Sequence, residues 1–148
     1  MIQRIHGVNV AVKELEAAVN TYRRLAGQEP RPLDREDFAF PGLRGAAFQL
    51  GETVINLVSS EREDTSIARF LRTRGEGLFL VSLLSDAVTE DVEALRQRGF
   101  APVLPETAVG EFGRVNFIHP KSLHGVQIEV YQPPTPETSR MAGRPLSP

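Results

Sequence analysis

Similar elements recur along this chain at a fixed spacing, and that spacing constrains its fold more than any other feature. Val19 and Val92, Tyr22 and Leu95, and Ile55 and Ile128 each stand 73 positions apart (92 − 19 = 73). The three matches fall in separate predicted elements, which points to a duplicated module. The order is strand, helix, strands, a linker helix, then strand, helix, strands again. Each module alone is too small to bury a sheet face well. Two together can set helices outside and curve their sheets around a shared cleft.

Within the first module, Ile5–Val12 alternates, with Val8, Val10 and Val12 on one face and Gly7, Asn9 and Ala11 on the other. Leu15, Ala18, Val19, Tyr22 and Ala26 then form one helical stripe, which Gly27 is placed to end. Residues 28–43, with Pro30, Pro32, Pro41 and Gly42, read as a loop with at most a short edge strand. Ala46–Leu50 and Val54–Val58 flank a Gly51-Glu52 hairpin turn. Asp64 or Thr65 can cap a linker helix over 65–73. The second module opens with the apolar run Leu78–Leu84. A helix carrying Val88, Val92 and Leu95 follows, capped by Ser85 or Asp86, and then strands near Arg114–Ile118 and Val126–Tyr131. The modules span 4–60 and 77–131 within one domain, 1–132. The Pro-rich residues 133–148 are too poor in large apolar groups to repay ordering, and are expected to form a loose tail.

Composition narrows the class. The chain has 148 residues, no Cys, and 17 basic against 19 acidic side chains, net −2. Thiolate metal sites, disulfides and thiol nucleophiles are thereby excluded. No basic block suggests nucleic acid or an anionic membrane, and no apolar run reaches the roughly 18 residues of a membrane span. A cytoplasmic protein with a small-molecule partner is expected, with neither nucleic acid nor membrane as partner.

The stretches VNVAVKELEAAVNTYRRLAG, FQLGETVINLV, TSIARFLRTRGEG and FIHPKSLHGVQIEVYQ resemble the vicinal oxygen chelate superfamily, the glyoxalase, bleomycin-resistance and dioxygenase group. The resemblance covers about residues 4–132. SIARFL, GEG and the HPKS…GVQIEV ending are similar to methylmalonyl-CoA epimerases in particular. The fold implied is α+β: two tandem βαβββ modules forming a curved mixed sheet with an open cleft. Members of this size commonly dimerise, so a homodimer is implied as well. In metal-dependent members each module supplies two ligands, one from its first strand and one from its last. Those positions fall here on Gly7, Asn56, Leu80 and Glu129. Only Glu129 matches the family pattern. Gly and Leu offer no ligating side chain, and an amide is a weak neutral ligand, so no metal and no other cofactor is expected.

The four positions are expected to converge at the centre of the cleft. Glu129 shares its strand face with Gln127 and Tyr131, and beside Leu80 its carboxyl should be desolvated, raised in pKa and bonded to Asn56 or water. That would suit a catalytic acid or base. Asn9 and Asn56 face inward too, as substrate-binding amides or as a pair. Leu80, Gln127 and Tyr131 complete the expected substrate-binding set. His6, opposite Gly7 by alternation, should lie with Val8 and Val10 toward the helices as a strand-end side chain near the surface. A metal role would need a one-residue slip. His119 is expected to shape the turn before Pro120, with Lys121 and His124 solvated. Phe38, Phe40 and Phe112, in the two Pro/Gly loops, are expected to anchor those loops to the core, the alternative being that they cover an apolar ligand, and the facing of Gln49 and Asn116 is left open.

Two functions fit these residues. One is a metal-free lyase or isomerase acting on a small carbonyl compound or CoA thioester, with Glu129 moving a proton. The alternative is a non-catalytic protein that sequesters an apolar or aromatic small molecule, as antibiotic-resistance members do.

Overall fold

The computed structural model describes residues 1–141. In chain order the elements are β1 (Ile2–Ala11), α1 (Leu15–Ala26), β2 (Arg31–Leu33), β3 (Leu43–Leu50), β4 (Thr53–Ser60), α2 (Ser66–Arg74), β5 (Gly77–Ser85), α3 (Val88–Gln97), β6 (Ala108–Gly110), β7 (Gly113–Ile118), β8 (Ile128–Gln132) and α4 (Pro136–Met141). Among the described residues, no helix is long and apolar enough to cross a membrane. They form two units, one of residues 7–80 and the other of residues 1–6 with 81 onward. The division runs through β1 and β5, where the repeat alone suggested whole strands.

In the first unit β1 runs parallel to β4, β4 antiparallel to β3, and β3 antiparallel to β2. In the second, β5 runs parallel to β8, β8 antiparallel to β7, and β7 antiparallel to β6. The two units thus share one topology: first strand, helix, then three strands of which the last returns beside the first. A parallel return needs a crossover of a dozen or more residues, and α1 and α3 begin those crossovers.

The expected stripe of α1 packs as the sequence implies. Leu15, Ala18, Val19, Tyr22 and Ala26 lie against Val12, Phe48 and Leu57, with Val10 and Ile55 beside them. Burying each large apolar side chain contributes about 1.5–3 kcal/mol. Gly27 ends the helix in the left-handed region at φ 67°, its N–H returned to Arg23 O. The opposite face of the same sheet is covered by α2, where Ile67 meets Ala11 and Val58, joined by Phe70, Leu71 and Phe79. Thr65 caps α2 by accepting from the Ala68 N–H at 3.0 Å. In the second unit Val88, Val92 and Leu95 of α3 pack on Ile128 and Val130 of β8 and on Ile2. Ser85 bridges the start of α3, accepting from Ala87 N and donating to Asp91.

The loose-tail expectation needs correction over its first part. Residues 136–141 form α4, which packs on β6 and β7, and Thr138 is fully buried. A short helix need not carry large apolar groups when one small side chain fills its contact and closes its own turn. Thr138 Oγ1 donates to Thr135 O and accepts from Thr135 N. The remainder of that expectation falls on residues 142–148, outside the described residues.

Candidate functional site

Each unit carries one polar pair at the same place in its topology. In the first, Asn9 of β1 stands directly opposite Asn56 of β4, and Asn56 Nδ2 donates to Asn9 Oδ1 at 3.0 Å. In the second, Ser82 of β5 stands directly opposite Glu129 of β8, and Ser82 Oγ donates to Glu129 Oε1 at 2.7 Å. Residues 9 and 82, like 56 and 129, are separated by the 73-residue offset of the repeat (82 − 9 = 73). Duplication has therefore kept the position of the pair while its chemistry diverged, from two neutral amides to a hydroxyl and a carboxyl.

Glu129 is half-buried and flanked on both sides within the sheet. Ser82 lies on one side, and Phe117 of β7 is its antiparallel partner on the other. Phe117 is 8% exposed and offers the carboxylate only apolar side-chain surface. Loss of water pushes the Glu129 pKa up from the usual carboxylate range, and the Ser82 hydrogen bond opposes that shift by favouring the anion. Tyr131, two residues on, lies on the same strand face as Glu129, while Ile128 and Val130 face α3.

His6 departs from the surface position expected of it. Its ring is half-buried and stacks on Tyr131, with centroids 4.7 Å apart and planes tilted by 36°. Tyr131 follows Glu129 by two residues on β8. Strict alternation along β1 had directed His6 toward the helices. Nδ1 of His6 is buried without a hydrogen-bond partner among the described residues. Burial, assisted by the nearby Arg4 charge, holds the imidazole pKa below its usual value, so the ring is neutral near neutral pH.

The residues present do not fit the metal that the superfamily pattern implies. Gly7 does more than lack a donor: a Cβ there would come within 2.2 Å of Val54 O and 2.5 Å of Val54 Cγ1. Leu80 is 3% exposed and apolar. Asn56 offers only a neutral amide oxygen, a weak ligand for a divalent ion, while its Nδ2 donates to Asn9. Among the described residues, no three His, Asp or Glu side chains gather as a metal would require.

Of the expected substrate-binding residues, Asn9, Asn56 and Leu80 belong to the first unit, and Gln127 and Tyr131 to the second, which also holds the expected catalytic Glu129. Gln127 contributes its backbone carbonyl to Val81 N, fixing β8 beside β5. Glu129 takes its hydrogen bond from Ser82, a residue the sequence reading passed over. The signal that could have found it was the repeat itself, since Ser82 is the counterpart of Asn9. Asn116 is buried and holds Leu104 through both N and O, a structural tie. Gln49 donates to Gly51 O at the β3–β4 hairpin. His119 shapes its turn as expected, accepting from Lys121 N, and Phe38 packs into two core clusters.

Residues 6–117 match the family described as the Glyoxalase/Bleomycin resistance protein/Dioxygenase superfamily. The chain belongs to this family, and its fold is the α+β glyoxalase/bleomycin-resistance fold of paired βαβββ modules. Within the family it is methylmalonyl-CoA epimerase-like. It is 32% identical over 137 residues to the ethylmalonyl-CoA/methylmalonyl-CoA epimerase of Cereibacter sphaeroides, covering 89% of this chain and 99% of that one. A variant of the Streptomyces coelicolor methylmalonyl-CoA epimerase in complex with 2-nitronate-propionyl-CoA superimposes with a TM-score of 0.81 and 27% identity, over 91% of this chain and 100% of that one. The methylmalonyl-CoA epimerase of Mycobacterium tuberculosis does so with a TM-score of 0.80 and 28% identity, over 90% of each chain.

Proposed function

We propose that the protein is an isomerase of CoA thioesters whose acyl group is a 2-methyl-branched malonyl, with Glu129 as the group that moves the α-proton. The observation that carries this reading is the desolvated Glu129 carboxyl, held by Ser82 against Phe117 in an epimerase-like chain. A hydrogen α to a thioester carbonyl is acidic enough for a carboxylate base when the base is poorly solvated and its pKa lies near the working pH. Glu129 takes that proton, the C–H electron pair moves onto the carbonyl oxygen as an enolate, and a solvent proton delivered to the other face inverts the centre while Glu129 releases its own proton to solvent. Ser82 fixes the rotamer of the carboxylate, so that one oxygen is bonded and the other is left for the substrate. Asn9, Asn56, Leu80, Gln127 and Tyr131 are kept in this proposal as substrate-contacting residues. Because the donor set does not suit a metal, no step is assigned to one.

The test is deuterium entry at C2 of methylmalonyl-CoA in D2O, followed by proton NMR. Wild-type protein should accelerate it, and Glu129→Gln should lose on the order of a hundredfold. Binding of the thioester without accelerated exchange would overturn the isomerase and leave the sequestration protein. A homodimer is also proposed. Light scattering should give about twice the 16.3 kDa chain mass, and a dilution-independent mass at 16.3 kDa would exclude it.

A further inference from the structure

The second unit has a groove on the side of its sheet turned away from Glu129. Arg114 and Asn116 stand opposite Gln132 and Val130 in the β7–β8 register. Val130 packs with Val88 and Val92 of α3, and Gln132 accepts from Val88 N at 3.2 Å, so these residues face α3. Between them and α3 lies a space of about 440 Å³, within the range of small-molecule sites. Val92, Glu93 and Arg96 of α3 line it, with Val109 of β6, Glu106 in the loop before β6, and Arg114. We propose that this groove binds a small aliphatic zwitterion of the amino-acid kind, its carboxylate on Arg114 and its ammonium on Glu106.

Arg114 sets the anionic end of the ligand. Its side chain is only 21% exposed, and among the described residues its one charged partner is Glu137 of α4, 3.5 Å away and 67% exposed. A guanidinium stays charged and offers a planar fork of donors, which a carboxylate meets at about 2.7–2.9 Å. One longer contact leaves most of that fork for another acceptor, and a largely buried cation gains from having one. Glu93 and Arg96 answer each other at 3.2 Å along α3, so that pair makes no demand of its own. Glu106 is exposed and has no ion-pair partner among the described residues, which leaves a carboxylate to receive a cation. Glu93 and Glu106 together disfavour a phosphate or a dicarboxylate, whereas a zwitterion presents one charge of each sign. Val92 is 3% exposed and Val109 half-buried, and they offer apolar surface to an aliphatic part. The site uses the opposite sheet face from Glu129, so it stands independently of the isomerase reading.

The experiment titrates the full chain by calorimetry with leucine and two truncated probes. Leucinamide lacks the carboxylate, and 4-methylpentanoate lacks the ammonium. Leucine should bind about tenfold or more tightly than either. Arg114→Gln should weaken leucine about tenfold or more. Glu106→Gln should weaken it by a similar factor and leave 4-methylpentanoate within about threefold. Glu137→Gln, which frees Arg114 of its ion pair, should bind leucine at least as tightly as wild type. Amide NMR of the wild-type protein keeps the test decisive if Arg114→Gln fails to fold: leucine should shift the resonances of Val92, Val109 and Arg114. Absence of leucine binding by wild type, equal affinity for 4-methylpentanoate, or leucine binding unchanged by Arg114→Gln would each overturn the proposal. Shifts gathered at Ser82 and Glu129 instead would put leucine on the other face and overturn it as well.

Discussion

Ser82 and Glu129 face each other across the parallel pair β5–β8, joined by a 2.7 Å hydrogen bond at the place where the first unit holds Asn9 and Asn56. A hydroxyl that favours the anion and an apolar neighbour that disfavours it act on one carboxyl. Desolvation is the larger effect, so the pKa is raised.

The pH dependence follows with a defined sign. The folded-state pKa of Glu129 lies above its unfolded value, so its contribution to stability is fully present below the ordinary carboxylate range. That contribution is lost as pH rises through the raised folded value. Glu129→Gln removes this loss, and its melting temperature at pH 8 should equal or exceed that of wild type. Ser82→Ala removes the one bond that favours the anion. The rising limb of the deuterium-exchange profile should then move to higher pH, with the plateau rate less affected. A limb unmoved by Ser82→Ala would separate the hydroxyl from the titration of Glu129.

The Asn9–Asn56 pair is a single hydrogen bond between neutral side chains, and such a bond contributes about 0.5–1.5 kcal/mol. Asn9→Ala and Asn56→Ala should each cost about 1 kcal/mol in urea denaturation. The double variant should cost less than the two together, because both remove the same bond. Strict additivity would show that the amides act independently.

Much of the fold was legible because the determinants were local. The α1 stripe, the Gly27 stop, the Gly51-Glu52 hairpin and the Thr65 cap each depend on residues within a few positions of one another. The repeat supplied the rest of the order. What escaped depends on contacts distant in sequence. Alternation along β1 cannot show that His6 stacks on Tyr131, 125 residues away (131 − 6 = 125). The composition of 133–148 conceals that one Thr suffices to seat α4. Ser82 sat inside an apolar run and drew no notice, although the repeat had already paired it with Asn9.

The docking of α4 is open to direct test. Thr138 is fully buried, and Arg114 of β7 lies 3.5 Å from Glu137. That ion pair is largely exposed on the Glu side and contributes little. The packing matters more, because removing α4 uncovers β6 and β7. Deleting residues 133–148 should lower the melting temperature by several degrees, since about 1 kcal/mol corresponds to roughly 2–4 °C in a chain of this size. An unchanged melting temperature would return the whole segment to the loose tail expected from composition.

The last prediction concerns Gly7, where the superfamily pattern would place a His. Restoring that residue by Gly7→His tests whether the site lost its metal through one substitution or through a change in its frame. If a single missing donor were the cause, the variant would regain divalent metal binding with little cost. The backbone argues otherwise. Any Cβ at position 7 meets the Val54 carbonyl at 2.2 Å, and that atom is held in the β1–β4 ladder. A rigid backbone oxygen cannot rotate aside as a flexible side chain can, so the strands must separate or shift. Overpacking of this kind typically costs about 1–3 kcal/mol. Gly7→His should therefore be destabilised by that amount in urea, and calorimetry with cobalt should show no stoichiometric uptake. Gly7→Ala, which adds only the clashing methyl group, should carry most of the same cost. Gly7→Ala as stable as wild type, together with cobalt binding by Gly7→His, would show that the first unit still holds a metal-ready frame.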